Sequence, residues 1–574
     1  MVYINYISGL ATQNPATDNE VYVQAYSVFG DGGYFVWRTN SELPPGYETS
    51  EAGIWFTGGV TGGLWERQFS GREINVRWFG AKGDNATDDT LAFNNCFLFA
   101  SKFGYGVFVP KGNYLLDSVS LLSNIAVNGE GDLSILQLKQ DATNFIFFID
   151  QSGSSNITNV RISNLHFYYP IASFSEHKHF LSLSGISHFV IEQCFFEQFR
   201  GDAIYIGSGN STSCHNDNII ICNCRFDGVG QTNRNAITII DGTQVLIKNN
   251  NFKNTTESTM PGAIDIEPNG TGNEILKDII VQGNYFYNIG GGSSCCSVYL
   301  PPNAFTVNPT GFYFLNNYLE QVNNGFQFVY RYQSDQDTKP KNSLFIENNI
   351  VINAVYHAFA LYGACHAQVK GNYFNDGYGG FIGYTTQNTE TCQDVIVQDN
   401  LFDKCGNSNG NGISIFNCKR ITLSQNTFND CGTGTAGAAN AIDFDSRSSS
   451  DYIFFQENIF LTPTSKTLVA IQKEPTHTFT NPRHNRFFNN QLNGLASSFL
   501  YINDNNFGLA TIASPGSSVT IAHSLGTIPK WATVQPQTGN VAGIKNITVD
   551  ATNITVYFTT TPSGSVNLFW SVQA

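Results

Sequence analysis

VIVQDNLF at 395–402, ITLSQNTF at 421–428 and IFFQENIF at 453–460 are one phrase written three times: an apolar run, a polar pair ending in Asn, and an apolar residue two places later. The phrase returns as VIEQCFF (190–196), IIICNCRF (219–226), VLIKNNNF (245–252), IIVQGNYF (279–286) and VKGNYF (369–374). Aligned on its last residue it marks Phe167, Phe196, Phe226, Phe252, Phe286, Leu319, Val351, Phe374, Phe402, Phe428, Phe460 and Leu492. The intervals from 167 to 492 average about 29.5 residues, within the roughly 20–50 that marks stacked repeats. Two places before each marker stand Leu165, Cys194, Cys224, Asn250, Asn284, Asn317, Asn349, Asn372, Asn400, Asn426, Asn458 and Asn490. An amide buried without partners is costly, so a column of them implies turns stacked about 4.8 Å apart, each Asn bonding its neighbours. Cys194 and Cys224 share the slot and read as small interior residues.

A second short strand follows each phrase: DAIYI, NAITI, GAIDI, SVYL, GFQF, AFAL, GISI, NAIDF, LVAI and SFLY. Its period of two turns Ile204, Ile206, Ile264 and Ile266 inward and leaves Tyr205, Thr238, Asp265, Tyr299, Gln327, Ser414 and Asp443 outward. Parallel coils of this length describe an all-β chain, a parallel β-helix. The leucine-rich repeat and the propeller are poor matches, lacking respectively the LxxLxL phrase and the hairpin turn signals.

The composition agrees: charged residues are 13%, aromatics 14%, and the net charge is −15. Such an acidic chain lacks the clustered Lys and Arg that bind phosphate backbones, so no nucleic acid is expected. No stretch approaches the 18 apolar residues of a membrane span, and MVYINYISGL does not read as an export signal. Twelve cysteines without C-x-x-C spacing read as reduced, buried thiols, Cys295–Cys296 as a packed turn, and His177 with His179 is too sparse for a metal. No metal or cofactor is expected.

The two ends differ from the middle. TDDTLAFNNCFLFA spaces Phe93, Cys96, Phe97 and Ala100 as one face of a helix capped at Thr87 or Asp88. Laid over the first coil, it would seal the open end of the solenoid. From about 505, short alternating strands between Gly, Pro, Asn and Ser turns suggest a small antiparallel sandwich, in which Trp531 and Trp570 serve packing before sugar stacking. The expected division is 1–70, an aromatic-rich segment with Trp37, Trp55 and Trp65; 71–504, the β-helix; and 505–574, the sandwich.

The run INVRWFGAKGDNATDDTLAFNNC, then GYGVFVPKGNYLLDSVSL and NIAVNGEGDLSILQL, resembles the opening of the pectate-lyase-like β-helix superfamily, especially phage tailspike and capsular polysaccharide depolymerase proteins. Asn85 stands where many relatives have Gly. The resemblance implies a right-handed parallel β-helix with an N-terminal capping helix, a C-terminal sandwich that holds a homotrimer, and a short N-terminal segment docking onto another phage tail protein. It implies a place on the virion tail, synthesis in the host cytoplasm, and action on a bacterial capsular polysaccharide. It also makes Asp84, Asp88 and Asp89 structural.

Glycoside hydrolysis needs two carboxyl groups flanking the sugar bond. In GAIDIEP, Asp265 and Glu267 leave one face of a strand, their Cα atoms about 6.6–6.8 Å apart, with Asp241 on the adjacent coil as alternate partner. Tyr205, Tyr299, Tyr330, Arg331 and Tyr332 are the expected sugar contacts, and Asp443 with Asp445 in NAIDFDSR form a second candidate pair. A lyase, removing a proton beside a uronate with Tyr299 as base and Arg331 as cation, stays open, as does a non-catalytic receptor-binding fibre.

Overall fold

The computed structural model describes the chain apart from residues 27–30, 47–52, 141–144, 150–154, 172–174, 176, 209–213, 231–232, 261, 303–304, 332–340, 384–390, 407–410, 433–440, 445–448, 462–470, 474–477, 480–485, 489–490, 494–499, 502–506, 513–515, 524–527, 537–542 and 574. Asn490 of the aligned column lies outside the described residues. The chain divides into two compact units, Met1–Met260 and Pro261–Ala574. Both are built from parallel β-helix coils, and among the described residues the single α-helix is Thr90–Phe103.

The first unit opens with a five-stranded sheet in the order Val2–Tyr6, Glu20–Ala25, Gly33–Thr39, Gly63–Gln68, Trp55–Thr57. Leu10, Val21, Val23, Phe35 and Trp65 form its core. Arg67 is buried between the Phe35 and Trp78 rings, 4.7 and 4.9 Å from their centroids, and donates from Nε to the Gly53 carbonyl at 3.0 Å. Burial pulls its pKa down to about 9.

The FGAKGD turn and the helix are tied by one carboxylate. Asp89 accepts from the backbone N–H of Lys82 at 2.7 Å and of Gly83 at 3.1 Å. It, rather than Thr87 or Asp88, precedes the first helical residue, because Asp84–Asp88 is drawn into a strand pairing with Gly112–Leu116. Ala92, Phe93, Cys96, Phe97, Phe99 and Ala100 are the buried face of the helix, and Gly104 ends it at φ 74°. Desolvation raises the Asp89 pKa to about 6 against its ordinary value of 3.8. A carboxyl raised on folding stabilises the fold fully below its unfolded pKa, and that contribution is lost as pH rises through the folded one. D89N, which cannot ionise, should therefore gain melting temperature relative to the wild type between pH 4 and pH 7. A difference that stays flat across that window would contradict the assignment.

Beyond the helix each residue stacks on its counterpart one coil on. Ile162, Ile191, Ile221 and Ile247 are successive in-register neighbours, all fully buried. Rings of Phe167, Phe196, Phe226 and Phe252 stack at 4.8, 4.7 and 4.7 Å. Sharp corners come from residues in the left-handed region just before the aligned slot: Asn164, Gln193, Asn223 and Asn249 have φ between 53° and 55°. Short polar side chains tolerate this conformation better than β-branched ones, which is why the position reads Asn or Gln.

The second unit repeats the arrangement with Val281, Phe314, Ile346, Val369, Val397, Leu423 and Phe455 in register. Here the slot is a continuous amide ladder. Asn284, Asn317, Asn349, Asn372, Asn400 and Asn426 each donate backbone N–H and side-chain Nδ2 to the Oδ1 of the next Asn, ending on Asn458, at 2.8–3.1 Å. Spare Nδ2 hydrogens reach carbonyls of the facing strand, such as Asn372 to Ile346 at 2.9 Å. In the first unit Cys194 and Cys224 occupy the same slot, and all twelve cysteines are buried thiols outside any disulfide.

At the C-terminus the parallel pattern gives way to two three-stranded antiparallel sheets, one of Phe507–Ile512, Val566–Gln573 and Trp531–Pro536, the other of Ser518–Ala522, Asn553–Phe558 and Ile544–Val549. Ile521, Ile554, Val556 and Phe558 of one pack with Val566, Leu568, Trp570 and Val572 of the other. Trp570 is thus a core residue, whereas Trp531 is 44% exposed.

Candidate saccharide site

In the second unit the strand Gly262–Ile266 carries Asp265, with Glu267 just beyond its end. Asp265 pairs with Ser297 and Ile266 with Val298, so continuing the register sets Glu267 level with Tyr299. Tyr299 is half-buried, and the Arg331 guanidinium lies 4.9 Å from its ring centroid. The Arg331 backbone N–H is anchored on the Leu300 carbonyl at 3.1 Å. An exposed carboxylate, a tyrosine ring and a guanidinium are thus carried by three successive coils, groups that can accept sugar hydroxyls, cover a pyranose face and pair with an acidic sugar.

The expectation that Asp265 and Glu267 both stand open to solvent is corrected for the first of them. Asp265 is 1% exposed, while Glu267 is exposed. Its lane runs from Asp265 through Ser297 to Gln327, and Ser297 is covered as well. Alternation in the sequence says which face a side chain leaves, not whether other parts of the chain cover that face. Thr238 and Asp443, at 3% and 7%, were expected outward and are buried for the same reason. Asp443 stands in register with Ser414 and Gln472, and its expected partner Asp445 lies outside the described residues. Tyr330 is buried in the core, 1% exposed, and Tyr332 lies outside the described residues.

In the first unit Asp241 is 1% exposed, and both its carboxylate oxygens are engaged: His215 Nδ1 lies 2.8 Å from Oδ2, and the Asn216 N–H donates to Oδ1 at 3.0 Å. Tyr205 is half-buried with its ring parallel to His179 at 4.8 Å, and His179 stacks in turn on Phe145 at 6.0 Å. His179 Nδ1 accepts from the Asp202 N–H at 2.9 Å, and Asp202, fully buried, takes Arg234 Nε at 2.8 Å. His177 is exposed. Asp202, His215 and Arg234 escaped the sequence reading, which weighed His179 only as a metal ligand. Their only signal was their position beside the repeating strands, in segments of irregular length.

Among the described residues no group of three or more His, Cys, Asp or Glu could hold a metal, and no helix is long and apolar enough to cross a membrane.

Three solved structures illustrate what the chain is similar to. A tailspike protein from Acinetobacter baumannii bacteriophage Fri1, a capsular polysaccharide depolymerase, is 13% identical over 100% of this chain and 98% of that one, with a TM-score of 0.48. The Dettilon tailspike protein is 14% identical over 88% and 94%, with a TM-score of 0.42. A hyperthermoactive exopolygalacturonase from Thermotoga maritima is 13% identical over 68% and 93%, with a TM-score of 0.41. Residues 73–156, which hold the FGAKGD turn, the helix and the first coils, match the family described as rhamnogalacturonase A/epimerase, pectate lyase-like.

Proposed function

We propose that the chain is a tailspike-type depolymerase that cleaves glycosidic bonds of a bacterial capsular or other surface polysaccharide. The observation that carries this reading is the pectate lyase-like match of residues 73–156 at the start of a parallel β-helix. The tailspike proteins it is similar to, one of them a capsular polysaccharide depolymerase, point the same way. Glu267 is the base or nucleophile and Asp265 the acid. Unequal surroundings are what separate two carboxyls into acid and base, and these two differ sharply in burial. Tyr299 and Arg331 hold the sugar. Asp443 with Asp445 is the second pair to test.

The chain acts as a homotrimer on the virion tail, with the N-terminal segment docked to another tail protein and no metal or organic cofactor. Light scattering should give three times 63.1 kDa, and a single-chain mass would overturn the assembly. Y299A should weaken binding by about 1–3 kcal/mol, by analogy with stacking on planar ligands, measured as a rise in KM; an unchanged KM would remove Tyr299 from the site. Incubation with a panel of purified capsular polysaccharides should release new reducing ends without the ultraviolet absorbance of an unsaturated uronate. Release with that absorbance would replace hydrolysis by β-elimination, for which the Arg331–Tyr299 contact is the supporting observation. Binding without release would favour a receptor-binding fibre.

A further inference from the structure

The amide ladder marks a corner of the second unit, and an uncharged lane of side chains runs along each side of it. On one side Ile280, Tyr313, Phe345, Gln368, Ile396 and Thr422 are in-register neighbours on six successive coils. On the other side Tyr285, Tyr318, Ile350, Tyr373, Leu401 and Thr427 follow one another in the same way. Each coil gives one residue to each lane, with the ladder Asn and a left-handed residue at φ 53–66° between them. All of these side chains are half-buried or exposed, Ile396, Ile350 and Leu401 the most, at 39%, 38% and 37%. None carries a charge, in a chain whose net charge is −15.

The lanes are not shaped to hold sugar. The Tyr313 and Phe345 rings lie parallel, 5.0 Å between centroids and 3° between planes, and Tyr285 stacks on Tyr318 at 5.5 Å. A ring whose face lies against the ring of the next coil turns its edge outward, whereas a pyranose packs on ring faces. Two phenols are bonded within the chain: Tyr285 Oη donates to Glu320 Oε2 at 3.2 Å, and Tyr373 Oη to Asp403 Oδ2 at 3.0 Å. An uncharged surface rich in tyrosine is what the core of a protein interface presents. Five steps of about 4.8 Å make each lane about 24 Å long. A partner that matches such a lane side chain for side chain repeats at the same spacing, as a second copy of this chain does. Two unlike lanes beside one corner suit a ring better than a pair. A twofold dimer buries one lane against itself and leaves the other bare, whereas a head-to-tail ring sets unlike lanes together and uses both.

We propose that these lanes are the subunit interface of the second unit, in a ring of three copies with the Asn corner turned to the axis and the Ile396 lane of each copy against the Leu401 lane of the next. The proposal rests on the homotrimer of the reading above and names the surface that closes it. Rotation about an axis along the coil stack moves no coil up or down, so each coil meets its own counterpart. Ile396 of one copy therefore faces Leu401 of its neighbour.

Sedimentation velocity of the full chain over a dilution series tests it. I396D and L401D each place an unpaired carboxylate in a closed contact, and should raise the concentration of half-dissociation at least about a hundredfold, with the circular dichroism of the wild type. V355D, at an apolar position 63% exposed and in neither lane, should assemble like the wild type. I396K combined with L401E should regain the assembly that each change alone loses, because the two charges meet across every contact of a head-to-tail ring. A wild type that sediments as one chain overturns the interface and the trimer together and leaves the cleavage reading standing. A trimeric wild type whose I396D and L401D variants stay trimeric at the same dilution overturns the lanes alone. A double variant that stays apart overturns their head-to-tail pairing.

Discussion

Replacing Glu267 by Gln is expected to lower polysaccharide cleavage at least about a hundredfold, the usual loss when a positioned acid or base is removed. The substitution keeps the size and polarity of an exposed side chain and deletes only its ability to hold or give a proton, so folding should be untouched. D265N should be comparably inactive if the buried carboxyl delivers the proton to the leaving oxygen. Cα atoms two apart in extended backbone stand about 6.6–6.8 Å from each other, a spacing nearer the roughly 6.5–9.5 Å between carboxyls of inverting enzymes than the roughly 5–5.5 Å of retaining ones. Inversion at the anomeric carbon is therefore the expected stereochemistry, read by NMR of the first products. Near-normal cleavage by both variants, folded and assembled as the wild type, would move attention to Asp443 and Asp445.

The second large effect concerns stability. Asn372 Oδ1 accepts from the backbone N–H of Asn349 at 2.8 Å and from its Nδ2 at 3.0 Å. Its own Nδ2 donates to the Ile346 carbonyl and to Asn400 Oδ1, both at 2.9 Å. N372L fills the space and removes all four bonds, taking the acceptor from the buried Asn349 N–H and Nδ2 and a donor from the Ile346 carbonyl, while Asn400 Oδ1 keeps the Asn372 backbone N–H. At about 1–3 kcal/mol for each buried group left unsatisfied, the loss should exceed about 3 kcal/mol. Heating at a fixed scan rate should show it as a drop of several degrees, and a midpoint within one degree of the wild type would mean that the ladder is an ornament of the coil. C224N, which places an amide where the first unit already offers Asn250 Oδ1 to the Cys224 N–H at 2.9 Å, should be tolerated far better.

Much of the architecture was legible because it repeats. The Asn slot, the Phe two places on and the inward isoleucines are each set by contact with an identical position one coil away, so the periodicity of the sequence is the periodicity of the packing. The helix was legible from its apolar spacing, but its first residue was displaced because the preceding carboxylates were used in a strand and a turn.

The site was less legible, for physical reasons. Exposure of Asp265 depended on what covers the strand, and covering segments of irregular length carry no periodic signal. Glu267, by contrast, follows the strand end and is open as expected. The pairing of His215 with Asp241 joins residues 26 apart through a corner whose geometry depends on Asn216, and nothing in the local residue pattern marks it.

The most direct test is the molar mass of a purified capsular polysaccharide, chosen from the panel for binding, after prolonged incubation with the wild-type chain and with E267Q in parallel. The account predicts collapse of the polymer to short oligosaccharides with the wild type and a polymer of nearly full length with E267Q, at equal binding. A polymer that stays full length with the wild type, or that E267Q shortens as fast, would contradict it.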